Sequence, residues 1–262
     1  MSVPQPEDIY RRTKEEGERR LERPLVEEVS TALAAGFDIA AGLITLGLVA
    51  ATLEHWMGKD AAHFFASIGF GVGFIFLIVG RGELFTENFL VPIAGLDHRR
   101  GASWRNLAKL WLTSPFFNVV AGLVIALIVT VHGVLPKGTG SPIVVAAYKI
   151  HANHPLALFC SAVFAGALIT AMTWFVEGQD SIGARIVVAW IVGTFLALGG
   201  LNHVIVITIE LFFGIRFGAH IPWIFVLGNF GLAAAGNMIG GIGLVTLNRL
   251  TQGKAGGNAR SA

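Results

Sequence analysis

Two short polar interruptions within long apolar runs carry the side chains of this chain that are best suited to chemistry. Residues 80–88 read Gly-Arg-Gly-Glu-Leu-Phe-Thr-Glu-Asn, and residues 199–203 read Gly-Gly-Leu-Asn-His. Thr86 offers a hydroxyl and His203 an imidazole that titrates near neutrality, so a hydrogen bond between them could present a donor or a proton to a small anion. The competing interpretations are a core histidine and a threonine that bonds to its own helix.

The elements that must position these groups are predicted to be membrane-spanning helices. The chain has 262 residues, of which 54% are hydrophobic and 14% charged, and its mean hydropathy is +0.67, which is too apolar for an ordinary soluble domain. A helix crosses a bilayer with about 20 apolar residues. Six runs are long enough: 29–53, 61–96, 110–134, 155–176, 186–214 and 223–247. Unwound backbone in a membrane is tolerated where it lines a cavity, so the interruptions of the second and fifth runs mark a solute route.

A faint internal repeat relates the two halves of the chain. The third run contains Asn118-Val-Val-Ala-Gly and the sixth contains Asn237-Met-Ile-Gly-Gly, which share the pattern Asn-x-x-small-Gly. Three runs followed by three, with a break in the second of each set, predict a 3+3 inverted repeat, because an odd number of crossings reverses the second copy. The predicted fold is therefore an all-α membrane protein with six transmembrane helices, of which the second and fifth are broken.

Three regions follow from the distribution of charge. Residues 1–28 are polar and charged and are predicted to form a cytoplasmic helix without a cleavable signal peptide. Residues 29–248 form the six-span domain, and the Gly-rich residues 249–262 are predicted to be a disordered tail. Basic residues are concentrated in the segments that flank the first, third and sixth runs on one side, which predicts that both termini are cytoplasmic.

Three motifs, in this order along the chain, resemble the signatures of the formate/nitrite transporter family. They are Glu-Leu-Phe-Thr at 83–86, His203 after the second interruption, and Gly-Asn-Met-Ile-Gly-Gly at 236–241. They are similar to the divergent branch called YfdC-like. The resemblance implies a homopentamer in the bacterial inner membrane, with aquaporin-like protomers that each contain one pore. It also implies a pore centre of His203, Thr86 and Asn202, although family members commonly have an acidic residue where this chain has Asn202.

The same resemblance assigns apolar residues to two constrictions. Phe70 and Phe74 lie four residues apart and so share a helix face. By similarity to the family, Phe70, Phe74, Leu84, Phe85 and Leu196 would form constrictions on either side of the histidine, where an apolar lining delays the passage of charge. Without the resemblance, core packing is the simpler interpretation of these side chains.

Lys149 and Glu83 are further candidates for the vestibule and selectivity of the pore. The family has a lysine at the place of Lys149, thought to draw anions toward the mouth, and a solvated interfacial lysine is the alternative. Glu83 is expected to accept hydrogen bonds from backbone amides freed by the first interruption.

Glu87 and Glu210 are carboxylates that are additional to the family pattern. Glu210 lies seven residues after His203, two helical turns along the same face. If both faced the pore ionised they would repel formate and attract cations, since a charge pair at about 4 Å and an effective dielectric of about 20 interacts by about 4 kcal/mol.

Two functional hypotheses result. The first is a channel or transporter for small monovalent anions such as formate or nitrite, and the alternative is the same fold with a pore that passes cations or another small solute because of Glu87 and Glu210. No cofactor or metal is expected, because there is no cofactor fingerprint and only one cysteine. No basic stripe indicates nucleic acid. The expected partners are small monovalent ions, the lipid bilayer and other copies of the chain, and an enzyme is not expected.

Overall fold

Helices make up all the regular structure in the part of the chain that the computed structural model describes, residues 4–260. The α-helices are α1 (Pro6–Glu22), α2 (Leu25–Gly80), α3 (Val91–Ala94), α4 (Gly101–Val129), α5 (Gly140–Ala152), α6 (Pro155–Glu177), α7 (Ile182–Leu198), α8 (Val204–Arg216), α9 (Trp223–Met238) and α10 (Leu247–Arg260). A 3-10 helix spans Phe85–Phe89, and a π-helical stretch, Ile239–Thr246, joins α9 to α10.

The long helix α2 is a hairpin of two helices that meet at Gly58. Gly58 has φ 78° and ψ 170°, a backbone conformation that is open to glycine and strained for other residues. A side chain on Gly73 would meet the carbonyl of Asp38, and one on Gly42 would meet the carbonyl of Phe70. Position 38 lies opposite position 73 and position 42 opposite position 70, so the two arms run antiparallel. Their backbones pack close together.

Among the described residues, four helices are long and apolar enough to cross a membrane: Leu25–Gly80, Gly101–Val129, Pro155–Glu177 and the continuous α9–α10 segment Trp223–Ala255. The hairpin α2 covers the first predicted run and most of the second. The shorter apolar helix α7 falls in the fifth run. Helix α5 lies outside all six runs and was not predicted, because its 13 residues are too few to produce a spanning signal.

Both ends of the chain differ from expectation. The N-terminal helix ends at Glu22, because Pro24 disfavours a helical conformation for Arg23, which is extended at ψ 145°. The predicted disorder of 249–262 is wrong for residues up to 260, since α10 continues to Arg260; residues 261 and 262 lie outside the described residues. The Gly-rich sequence has a low intrinsic helix propensity, and contacts with α1 stabilise the helix instead. Gly253 lies against Tyr10, and the Lys254 ammonium lies 5.9 Å from the Tyr10 ring centroid.

Helix α1 packs beneath the short helix α3. Gly17 and Gly95 face each other across this contact, and a Cβ on Gly17 would lie 2.1 Å from the carbonyl oxygen of Val91. We call the face that carries α1 and α10 the α1 side, and the opposite face, with α5 and the Gly58 bend, the α5 side.

The two polar interruptions are places where one helix ends and another begins. Helix α2 stops at Gly80, Arg81 takes a left-handed conformation at φ 54°, and the 3-10 helix starts at Phe85. Helix α7 stops at Leu198, Gly200 has φ 54°, and α8 starts at Val204. We call residues 81–84 the first loop and residues 199–203 the second loop.

Candidate pore centre

The structure brings Thr86 and His203 together at the point where the two loops meet. The Thr86 Oγ1 atom lies 2.7 Å from His203 Nε2, and both residues are fully buried. Thr86 stands in the 3-10 helix and His203 is the N-cap of α8. The two groups therefore come from separate halves of the chain and form one hydrogen-bonded pair.

A second hydrogen bond assigns the tautomer of His203. The backbone N–H of Val206 donates to His203 Nδ1 at 3.3 Å, so Nδ1 is an acceptor and carries no proton. In the neutral imidazole the proton then sits on Nε2 and is donated to Thr86 Oγ1. The hydroxyl proton of Thr86 has no acceptor among the described residues, so it is free to be donated to a solute.

Asn118 of α4 holds the first loop in place. Its Oδ1 accepts a hydrogen bond from the Phe85 backbone N–H at 3.0 Å. Its Nδ2 donates to the carbonyls of Ala32, at 2.9 Å, and Glu83, at 3.0 Å. One buried amide thus satisfies the Phe85 N–H and the Glu83 carbonyl, which follow the end of α2 and have no helical partners, and adds a bond to the Ala32 carbonyl inside α2.

Asn237 of α9 does the same for the second loop. Its Oδ1 accepts from the Val204 backbone N–H at 2.9 Å, and its Nδ2 donates to the carbonyls of Ala162, at 2.7 Å, and Asn202, at 3.2 Å. The bonded positions correspond one to one, with Leu84 in the first loop matching His203 in the second. The site is therefore built from two equivalent loops that carry different side chains.

The side chain of Asn202, predicted to belong to the pore centre, is occupied elsewhere. Its Nδ2 donates to the Leu158 carbonyl at 3.1 Å and to Asn229 Oδ1 at 2.9 Å, and its Oδ1 accepts from Asn229 Nδ2 at 3.1 Å. This reciprocal amide pair ties the second loop to α6 and α9. Asn202 thus positions His203, its neighbour, through the backbone.

The five apolar residues predicted to form constrictions share one core cluster, and each is 5% exposed or less. The rings of Phe70 and Phe74 lie 5.9 Å apart, centroid to centroid. Phe70 and Leu196 also line the cavity described next, whereas Phe74, Leu84 and Phe85 do not.

A cavity of about 610 Å³ opens on the α5 side and reaches toward the pair. We call it the outer cavity. Lys149 and Glu210 both line it, and so does Val206, the residue whose N–H bonds to His203. Thr86 and His203 are not among its lining residues, so the pair lies behind a floor that includes Val206, Phe70 and Leu196.

Glu83 has different partners from those predicted. Its carboxylate accepts from Arg23 Nη2 and lies 3.2 Å from Arg20 Nε. Arg20 also donates from Nη1 to Asn88 Oδ1 at 3.1 Å. The expected role of this carboxylate, to accept from freed backbone amides, is therefore wrong. Two arginines, one near the end of α1 and one just after it, bind the carboxylate instead.

Glu87 takes the role that was expected of Glu83. Its Oε2 accepts from the Leu84 backbone N–H at 2.8 Å, and the Glu87 N–H donates to the Leu84 carbonyl. The Glu87 carboxylate thus caps the start of the 3-10 helix. Glu87 does not line the outer cavity.

Glu16, Arg20 and Glu83 belong to one cluster of ion pairs on the α1 side. Burial raises the pKa of the Glu16 carboxyl, but hydrogen bonds and charge from Arg19 and Arg20 outweigh burial and bring that pKa to about 2. Burial lowers the pKa of Arg20, whereas Glu83 and Glu16 raise it, with a net increase. Both groups are therefore charged at neutral pH.

Four residues that hold this site were not predicted to do so: Asn118, Asn237, Arg20 and Arg23. The duplicated Asn-x-x-small-Gly pattern was a usable signal for the two asparagines, since a buried amide repeated at matching places needs matching partners. The arginines had no comparable signal, because they lie 60 or more positions from Glu83.

Comparison with known proteins assigns the chain to a family. The sequence pattern of the formate/nitrite transporter family matches residues 7–250. The chain is 27% identical to the inner membrane protein YfdC of Escherichia coli over 235 residues, which are 89% of this chain and 74% of that protein. It is 22% identical to the formate channel BtFdhC of Bacillus thuringiensis over 249 residues, 94% of each chain.

Two solved structures share the fold. An FNT family ion channel superposes with a TM-score of 0.75 at 20% identity, covering 92% of this chain and 97% of that one. A pentameric formate channel with formate bound gives a TM-score of 0.71 at 17% identity, covering 85% and 94%. With a family pattern that spans nearly its whole length, an all-helical channel fold and several helices of spanning length, this chain is a multi-pass membrane protein and belongs to the formate/nitrite transporter family.

Proposed function

We propose that this chain forms a channel or transporter for small monovalent anions of the formate and nitrite kind, which pass the Thr86–His203 pair. The observation that carries the proposal is the 2.7 Å contact between Thr86 Oγ1 and His203 Nε2 where two loops meet. A neutral pair with a free hydroxyl proton can donate to an anion without fixing it by full charge. The names of the relatives, which include formate channels, support this class of solute.

The arrangement of crossings belongs to the same proposal. Six transmembrane helices form a 3+3 inverted repeat in which the first and second loops break the second and fifth crossings. The matching hydrogen bonds of Asn118 and Asn237 support it. So does the pair of close contacts in which Gly36 lies against the Asn118 carbonyl and Gly166 against that of Asn237. Five copies assemble as in the pentameric relative.

Orientation follows from charge. The α1 side carries the arginine-rich helix α1 and is the cytoplasmic side of a bacterial inner membrane, by the excess of basic residues. The outer cavity then faces the opposite compartment. Lys149 is exposed on its wall and raises the local concentration of anions there. Phe70 and Leu196 form the constriction between this cavity and His203, and Phe74, Leu84 and Phe85 continue the apolar barrier.

The alternative, a cation-permeable pore, keeps one supporting observation. Glu210 lines the outer cavity, where an ionised carboxylate would attract cations. Glu87 supports it less, since its carboxylate caps the first loop. The alternative therefore depends on the charge state of Glu210.

Flux of labelled formate into proteoliposomes tests the proposal. We expect His203→Ala to change the rate or the pH dependence of uptake, and His132→Ala, an exposed histidine far from the loops, to leave both unchanged. Uptake by His203→Ala that equals that of the unmodified protein at every pH would remove the proposed centre. Zero-current potentials in asymmetric sodium formate separate anion from cation permeation.

A further inference from the structure

Five titratable side chains line the outer cavity. Glu54, Lys59 and His63 come from α2, Lys149 from α5 and Glu210 from α8. Glu54 and Lys59 pair with each other at 3.7 Å, and His63 Nε2 lies 3.4 Å from the Leu198 carbonyl. The titratable residues of α4, at 105 and 109, do not line the cavity, and α9 has none.

Glu210 is the most deeply buried of the five, and it has no partner among the described residues. It is 8% exposed, and within residues 4–255 its carboxyl makes no hydrogen bond or ion pair. A buried carboxyl ordinarily finds a partner. Glu210 instead faces a cavity that is open to the surface, so its partner is whatever the cavity holds.

The position of Glu210 relates it to the pore centre. It lies on α8 seven residues after His203, or about 10 Å along the helix. Val206 and Ile207, between them in sequence, line the same cavity, and so do Phe70 and Leu196, each 1% exposed. Glu210 therefore stands on the cavity side of the apolar barrier and His203 stands beyond it.

Two effects oppose the passage of an anion from the outer cavity toward His203. Ionised Glu210 would repel it, and the apolar wall of Phe70 and Leu196 offers no group to replace its water. A neutral weak acid meets neither. Proton exchange on the cavity side of the barrier removes both obstacles in one step.

We propose that Glu210 is the proton donor of the outer cavity: it protonates a weak-acid anion that Lys149 has attracted, and the neutral acid crosses the apolar barrier. This rests on the proposed function. The O–H bond of the Glu210 carboxyl breaks, an O–H bond forms on an oxygen of the anion, and Glu210 is left as a carboxylate. A hydronium ion from the solution that fills the cavity then reprotonates it and is left as water.

The proposal names a substrate class. Formate carries the same functional group as the Glu210 side chain, so a proton can pass from one carboxyl oxygen to the other. Nitrite is likewise the anion of a weak acid. Nitrate and chloride are anions of strong acids and cannot be protonated by a carboxyl group, so the chain excludes them in spite of their size and charge.

The test uses full-length protein in liposomes with labelled formate and a pH indicator in the lumen. We expect the unmodified protein to carry one proton with each formate, to acidify the lumen without any compensating ion, and to exclude nitrate. Glu210→Gln, which keeps the shape and removes the proton, should lower uptake at least about tenfold, and Glu210→Asp should restore most of it. Glu54→Gln, a matched carboxyl on the same wall that is already paired, should leave coupling intact.

The outcomes are distinguishable from failure of the proposed function. If the unmodified protein carries formate as a bare anion, or takes up nitrate equally well, the role of Glu210 is overturned while the anion pathway stands. Proton-coupled uptake that survives in Glu210→Gln overturns it too. If the unmodified protein moves no formate beyond protein-free vesicles, the proposed function itself fails. If Glu210→Gln does not fold, a proton-to-formate ratio near zero in the unmodified protein still overturns the role of Glu210, and so does uptake by Glu210→Ala equal to that of the unmodified protein.

Discussion

Asn118 and Asn237 make the same three hydrogen bonds to two different loops. Each accepts from the backbone N–H of a residue just past its loop and donates to one carbonyl of the loop and one of a neighbouring helix. The two amides thereby hold Thr86 and His203 at bonding distance without contacting either side chain. Asn118 and Asn237 hold the backbone of the two loops, and that backbone positions the Thr86–His203 pair.

Loss of either amide should destabilise its loop. Asn118→Ala leaves two buried backbone groups, the Glu83 carbonyl and the Phe85 N–H, without partners, and we expect it to cost about 2 kcal/mol or more. Asn237→Ala should have a similar effect. Thermal unfolding of the detergent-purified protein, followed by size-exclusion chromatography, measures this as a lower midpoint.

Asn118→Asp is the matched variant. It keeps the acceptor for Phe85 and loses both donated bonds, so its midpoint should fall between those of the unmodified protein and Asn118→Ala. Asn153→Ala, at an exposed position, is the control and should change nothing. Equal stability of all three Asn118 proteins would show that the first loop is held by other contacts.

The hydroxyl of Thr86 should matter for formate uptake, and its methyl group should not. Thr86→Val keeps the shape but leaves His203 Nε2 without its acceptor, so uptake should fall strongly. Thr86→Ser should retain most of it. Thr208→Val is the control, because the buried Thr208 hydroxyl bonds to its own helix at the Val204 carbonyl. A Thr86→Val protein with normal uptake would exclude the hydroxyl from the solute path.

The ion pairs within α1, which orient Arg20 toward Glu83 of the first loop, should resist acid to an unusual degree. Glu16 has a pKa of about 2 in the folded protein against an ordinary 4.5. A depressed folded pKa contributes stability that is complete above the ordinary value and is lost as pH falls through the folded value. The ion pairs of Glu16 with Arg19 and Arg20 should therefore weaken only between about pH 4.5 and pH 2.

Loss of these ion pairs should loosen the hold of α1 on the first loop. A spin label at exposed position Arg11, substituted by cysteine in a Cys160→Ser background, can follow this release of α1. Its mobility should rise over that pH window in the parent protein. In Glu16→Gln the label should be more mobile at neutral pH already, since the carboxylate is gone. Glu15→Gln, an exposed neighbour, should behave like the parent protein. Release of α1 at pH 6 in the parent would contradict the assignment.

Glu87 should affect stability more than selectivity. Because its carboxylate caps the first loop, Glu87→Gln should keep the zero-current potential in asymmetric sodium formate, and Glu87→Ala should lower stability by about 1 kcal/mol. A shift of the potential toward that of an anion pore in Glu87→Gln alone would instead favour the cation-permeable alternative.

Local sequence was sufficient for the parts of this protein that depend on local properties. Glycines and polar residues inside apolar runs predict the positions where α2 and α7 end, because interruptions of this kind leave backbone groups that a helix in hydrocarbon must satisfy. His203 and Thr86 were recognisable as a candidate pair because an imidazole and a hydroxyl stand in interruptions of apolar runs, where polar side chains are costly. The family assignment made from the motifs at 83–86 and 236–241 was confirmed by the match over residues 7–250.

Tertiary structure decided which group each polar side chain meets. Glu83 and Glu87 are four residues apart, yet one binds arginines of α1 and the other caps its own loop. Asn202, next to His203, turns its amide to Asn229. These choices depend on which distant helix is packed nearby, and an ion or amide in an apolar interior takes the partner that packing brings within reach. Composition and spacing therefore determine where buried polar groups need partners. Only the packing of the helices determines which residues those partners are.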